Sequence, residues 1–241
     1  MDTVSHSSVT DENAITFEDL FNLNDIQRLQ DEFSNATGVA SIITRPDGTP
    51  ITAPSNFCRL CNDIICQTAL GRANCYKSDA TLGQVHPDGP IIQPCMSGGL
   101  WDAGAAIVVG GRHIANWLIG QVRDETQTEE RMRAYAREIG VDEADMLAAF
   151  REVPAMSRAQ FERVARMLFT LANQLSASAY QNVQQARLIA AREQAESAQR
   201  ESETPYRELA NSITDIFFAL DKNLRYTFWN KASEQLCGMA A

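Results

Sequence analysis

Five of the six cysteines, Cys58, Cys61, Cys66, Cys75 and Cys95, crowd into one stretch with the spacing Cys58-x2-Cys61-x4-Cys66-x8-Cys75-x19-Cys95. Clustered thiols can ligate a metal, exchange electrons or pack as small hydrophobic groups. A structural zinc site usually carries a second close pair of ligands, and a plant-type iron–sulfur run has its x4 gap before its x2 gap. Neither template fits. If residues 56–66 are helical, the 3.6-residue period turns Cys61 and Cys66 about 140° apart, which prevents them from sharing one ion. Metal or cluster ligands, buried structural or pocket-lining thiols and a redox switch all remain open on spacing alone.

Asp102 and His113 have the residue types of a carboxylate-assisted general base. They stand without a nucleophile motif, a phosphate-binding glycine loop or a His-Glu metal pair. Gly98-Gly99 and Gly110-Gly111 read as turns, and no enzymatic activity is expected. His6 falls in a polar terminus and His86 in a loop. Phe57, Trp101 and Trp117 are suited to the wall of an apolar pocket, with Asp102, His113 or Gln121 fixing a small polar end, which is the usual makeup of a small-molecule site.

The chain has 241 residues with 44% hydrophobic content, enough for a core and one or two domains. Its 31 acidic and 21 basic residues give a formal charge of −10. That balance offers no general attraction for nucleic acid or anionic membrane. The N-terminus lacks the basic and apolar regions of a secretion signal, and no run of 18 apolar residues occurs, so a cytoplasmic protein with reduced thiols is expected.

The elements that must position these residues follow from periodicity and capping. Residues 1–15 are polar and expected to be disordered. Thr16 and Asn24 are candidate N-caps, with Gln27 completing a capping box, Ile26, Leu29 and Phe33 on one face, and Gly38 as the stop. Residues 39–44, a Pro46-Asp47-Gly48 turn and Ile51-Thr52 read as two short strands. Residues 68–82 read as a helix. A firmer hairpin joins residues 105–109 and 113–122 through Gly110-Gly111. Strict alternation puts His113, Ala115, Trp117, Ile119 and Gln121 on one face of its second strand. Thr126-x-x-Glu129 opens another helix, which Gly140 closes.

Ser157-x-x-Gln160 opens a longer helix with a Phe161, Val164, Leu168, Leu171, Leu175 seam that thins to Ala179, Val183, Ala186 and Ala190. Roughly 45 helical residues span on the order of 70 Å, so residues 157–203 read as a homodimerising linker. From Tyr206 the pattern changes to a short hairpin around Asp221-Lys222-Asn223.

Cys61, Gly71, Cys75 and Ser78-Asp79, then Cys95-x-x-Gly98-Gly99-Leu100-Trp101-Asp102-Ala103-Gly104 and Gly111-x-His113-Ile114-Ala115-Asn116-Trp117-Leu118-Ile119-Gly120-Gln121, resemble the PocR sensory domain over about residues 16–180. The resemblance implies a PAS-like α+β fold that senses small organic molecules such as simple hydrocarbon derivatives in a bacterial regulator. It also groups Cys61, Cys75 and Cys95 around a pocket. With Cys58 as a fourth ligand, that trio is the candidate zinc or iron–sulfur set. Many members carry a His directly after the cysteine that matches Cys95; here that residue is Met96, so no role for that imidazole transfers.

Residues 206–233, with Ile216-Phe217-Phe218-Ala219-Leu220-Asp221 and Trp229-Asn230-Lys231-Ala232-Ser233, resemble the opening of a PAS domain that the chain does not complete. The expected organisation is therefore a disordered segment 1–15, a sensory domain 16–155, a linker helix 156–203 and a PAS start at 204–241. The function expected is signal input: a small, mostly apolar ligand binds and a dimeric helix carries the change to a downstream effector domain. A cysteine-based metal or redox sensor and a ligand-free dimerisation scaffold are the alternatives.

Overall fold

A computed structural model describes residues 16–238, with residues 201–207 as backbone. The disordered segment expected at 1–15, with His6, lies outside the described residues. Two compact units divide the chain between residues 182 and 183.

In the first unit, α1 (Phe17–Leu20) and α2 (Leu23–Thr37) precede β1 (Ala40–Thr44). Asn22, two residues before the expected Asn24, caps α2 by accepting from the Asn24 amide. Gln27 instead reaches across to the Ala53 backbone, its Oε1 accepting from the amide at 2.8 Å. Gly38 ends α2 in the left-handed conformation expected of it. After the turn the chain returns beside β1 as isolated bridges, Thr44 to Pro50 and Ser41 to Ser55, not as the second strand expected at Ile51-Thr52. Both the Ile51 and Thr52 amides donate to the Ile43 carbonyl, and this doubling breaks the ladder.

A single π turn (Leu60–Ile64) and a 3-10 turn (Ile65–Gln67) lead into α3 (Ala69–Leu82), capped by Thr68. Then come β2 (Ile91–Pro94), β3 (Trp101–Val109) and β4 (Arg112–Val122). The four strands form one antiparallel sheet in the order β1-β4-β3-β2. The short β2 has no clear alternating pattern and was not legible. The hairpin is, because Gly110 and Gly111 both take positive φ and form the two-residue turn that matches strand twist.

Two helices, α4 (Glu129–Ile139) and α5 (Glu143–Glu152), pack with the 60–65 segment into a core of Leu60, Ile65, Leu100, Met132, Met146 and Phe150. Thr128 caps α4, two residues later than Thr126, whose hydroxyl donates to Asp124. The fold is α+β, an antiparallel sheet packed against helices, as expected.

The long helix α6 (Arg158–Ser212) begins where Ser157 predicts and continues past Pro205. Proline removes one backbone donor there without ending the ladder. Its first turns belong to the sensory unit. Phe161, Ala165, Leu168, Ala172 and Ala179 are buried, the Arg158 guanidinium stacks 3.9 Å from the Trp101 ring centre, and Ser176 Oγ accepts from the Val108 amide at 3.0 Å. Much of the seam read as a dimer interface is therefore core of the same chain, because a 3-4 apolar stripe serves a sheet as well as a partner helix.

In the second unit, β5 (Phe218–Leu220), β6 (Tyr226–Trp229) and α7 (Lys231–Cys237) follow the helix. Asn230 organises them. Its Oδ1 accepts from the Phe217 and Ser233 amides, and its Nδ2 donates to the carbonyls of Ala210, Ile213 and Asp215.

Candidate functional site

The site begins at an irregularity in the central hairpin. Trp101 pairs with Val122 and Ala103 with Ile119, so two residues on β3 span three on β4. The extra residue is a β-bulge, with Gln121 at φ 56°. Trp117, Ile119 and Val122 consequently share one face, while Leu118 and Gln121 share the other. Asp102 fills the bulge, its Oδ1 accepting from the Gln121 amide at 2.8 Å. Gly120 makes room: a Cβ there would sit 2.0 Å from Asp102 Oδ1.

On the Asp102 face, the segment from Phe57 through α3 roofs a cavity of about 190 Å³. The Gln121 Oε1 accepts from the Cys58 amide at 2.8 Å and so fastens the roof to the sheet. Arg59 fastens it to α5 through ion pairs to Asp145 at 2.7 Å and Glu152 at 3.2 Å. Gly71 lets α3 start tightly over the 3-10 turn, because a Cβ would meet the Ile65 carbonyl oxygen at 2.2 Å.

Six of the sequence-derived candidates, Phe57, Cys61, Cys75, Cys95, Asp102 and Gln121, line this cavity. Three do not. Trp101 faces α6 and donates its indole N–H to Asp124 Oδ2 at 2.9 Å. Trp117 is buried against Phe33 and donates to Ser41 Oγ at 2.9 Å, within a polar network anchored by Gln30. The bulge parts Trp117 from Gln121, which strict alternation had put together. A second bulge between Ile107 and Val108 lies beside His113, whose Nε2 is bonded to Asn116 Oδ1 at 2.6 Å at the far end of the strand. His113 and Asp102 thus have separate partners and form no acid–base pair. His86 is exposed in a loop, as expected.

The cavity wall also includes residues that sequence reasoning does not assign to a site, Asp79 and Cys66 among them. Asp79 stood in the family-like string but was assigned no role, although its spacing after Cys75 places it one helical turn on. Cys66 was set aside by the assumption of a regular helix. The π turn followed by a 3-10 turn changes the angular step, and Cys61 and Cys66 both reach the cavity.

Burial dominates the electrostatics. Removal from water pushes the Asp102 carboxyl up to about 7, against the opposing hydrogen bond from the Gln121 amide. Burial and the nearby Asp102 charge hold Asp79 well above the usual carboxylate range. Neither carboxyl has a Lys or Arg ion-pair partner among the described residues. Burial also raises the Cys95 thiol, while hydrogen bonding to Cys58, then burial, raises Cys61. Cys66 Sγ and Cys75 Sγ lie 3.6 Å apart, and Cys75 Sγ lies 3.2 Å from Ser97 Oγ.

A zinc or iron–sulfur centre on Cys58, Cys61, Cys75 and Cys95 does not fit this arrangement. No three His, Cys, Asp or Glu side chains among the described residues converge as metal ligands. Cys61, Cys75 and Cys95 line the cavity, Cys58 lies outside its lining, and the four thiols do not assemble a ligand set.

An antiparallel sheet with a cavity under a helical roof is a layout that can hold a small molecule. The family model described as the sensory domain found in PocR matches residues 19–180, and the chain belongs to that family. The match runs into α6, in keeping with the burial of its first turns. Comparisons with curated proteins and with solved structures return no match. No helix among the described residues is long and apolar enough to cross a membrane.

Proposed function

We propose that this chain is a signal-input module that binds a small organic molecule between the sheet and the Phe57–Leu82 roof. The cavity that Phe57, Cys61, Cys75, Cys95, Asp102 and Gln121 share is the observation that carries this reading. Its volume is below the roughly 300–1,000 Å³ of clefts for drug-sized ligands, so the occupant has few heavy atoms. Phe57, Ile42 and the thiols offer apolar walls. Asp102 and Asp79 offer polar groups that donate a hydrogen bond when protonated and accept one when ionised.

The ligand acts on the roof, because Gln121 both lines the cavity and holds the Cys58 amide. A change there reaches α3 and β3, and β3 is held to α6 by Ser176 and Arg158. Residues beyond 182 would then carry the signal as a dimer to the PAS-like segment and to an effector domain. The partner set is thus a small organic molecule and a second copy of the chain, with no role for nucleic acid or membrane, in the cytoplasm.

Thermal shift of the full chain across a panel of small alcohols, aldehydes and aromatics tests this. A ligand-dependent rise in Tm that Asp102→Asn or Phe57→Ala reduces supports it. A panel without effect on Tm would favour the ligand-free scaffold.

A further inference from the structure

We propose that Cys66 and Cys75 are an oxidation-sensitive pair that closes into an intramolecular disulfide in the cavity wall, with a small hydroperoxide as oxidant. The inference is independent of which ligand, if any, the cavity binds. Their sulfurs are 3.6 Å apart in the reduced protein, so reaching the ~2.05 Å of a disulfide takes roughly 1.5 Å of combined movement. Both thiols are half-buried and face the same cavity, which gives a small oxidant a path to them. One sits in the 3-10 turn and the other on α3, so the bond would add a covalent tie between two elements now joined at the tight Gly71 contact and by the Arg72 bond to the Cys66 carbonyl.

The two thiols are not equivalent. The hydrogen bond shared by the two sulfurs and the Arg72 charge lower the Cys66 thiol against burial and the Asp79 charge, while the same pairing, then burial, raises Cys75. Arg72 is close by, its Nε donating to the Cys66 carbonyl at 3.0 Å. Cys66, the thiol with the Arg72 guanidinium beside it, is the attacking sulfur in this proposal. Its thiolate attacks the terminal oxygen of ROOH, the O–O bond breaks, and ROH leaves with a proton to give Cys66–SOH. Cys75 then attacks that sulfur, the S–O bond breaks and water leaves. The balance is two thiols and ROOH to one disulfide, ROH and water, with sulfur oxidised and the peroxide reduced.

The bond also has a structural cost. Cys75 Sγ now contacts Ser97 Oγ, and Ser97 Oγ donates to the Gly71 carbonyl at 3.1 Å. Drawing Cys75 toward Cys66 breaks the first contact and leaves the loop after β2 held to α3 by the Ser97 bond to Gly71 and the Met96 amide bond to Ser78 Oγ.

Reduced full-length chain treated with a slight excess of hydrogen peroxide tests the proposal. The expected result is loss of two of the six thiols, loss of two hydrogens from the intact mass, and a tryptic map joining peptide 60–72 to peptide 73–77, with fragmentation placing the link at Cys66. Cys66→Ser should retain its five remaining thiols, and Cys75→Ser should yield a sulfenic acid at Cys66 that dimedone traps. The wild-type map does not depend on either variant folding. Six thiols surviving for hours, a Cys58–Cys61 link with Cys66 and Cys75 still free, or oxidation of Cys66 beyond sulfenic acid without a link would each overturn it.

Discussion

The backbone amide of Gln121 donates to the carboxylate of Asp102 at 2.8 Å across a bulge that Gly120 makes possible. This relationship turns Gln121 toward the cavity and away from Trp117. It also holds a carboxyl in a place where water solvates it poorly.

Gly120→Ala forces its new methyl group to within 2.0 Å of Asp102 Oδ1 and 2.7 Å of the Asp102 Cα. The backbone atom cannot swing aside. Chemical denaturation should show a loss of at least about 2 kcal/mol. A loss below about 0.5 kcal/mol would mean that the bulge relaxes freely.

The Asp102 carboxyl titrates near 7 in the folded protein and near 3.8 when unfolded. The folded state therefore holds its proton more tightly. That contribution to stability is complete below about pH 4 and is lost as pH rises through 7, and it is on the order of a few kcal/mol. Asp102→Asn keeps an acceptor for the Gln121 amide and removes the titration. Its Tm should vary less between pH 5 and pH 8 than that of the wild type; equal pH profiles would refute the assignment.

Trp117→Phe keeps the ring against Phe33 but loses the indole bond to Ser41 Oγ. A buried acceptor left unpaired costs about 1–3 kcal/mol. The variant should melt earlier and keep any ligand-induced shift, whereas Gln121→Ala should lose that shift. The opposite ordering would return Trp117 to the ligand site.

On α6 beyond the sensory unit, Leu188 and Ile189 are 72% and 51% exposed. A self-associating helix would cover such side chains. Leu188→Glu with Ile189→Glu should convert a dimer to a monomer by light scattering of the full chain. A wild-type chain that scatters as a monomer at high concentration would exclude the dimer.

Sequence pattern made most of the scaffold legible. The Gly110-Gly111 hairpin, the Gly38 and Gly140 stops and the Thr68–Leu82 helix all follow from local chemistry that acts within a few residues. What pattern could not supply was the effect of single inserted residues. One extra residue in β4 sends Gln121 and Trp117 to opposite faces, and one π turn brings Cys66 into the wall that a regular helix would have denied it. Such insertions leave composition and hydrophobic period nearly unchanged while rotating everything past them. Likewise, the Phe161–Leu168 stripe has the spacing of a coiled coil, and only the position of the sheet decides that it is interior.

The reach of β2 has a further consequence. Its four residues cover β3 only from Trp101 to Gly104, and in the remaining half of β3 the Val108 amide is taken by Ser176 Oγ. The opening turns of α6 therefore act as a guard over a stretch of strand that another chain could otherwise extend. A protein cut before Ser176 would expose a template for intermolecular strand addition, and its failure mode would be aggregation before loss of signalling.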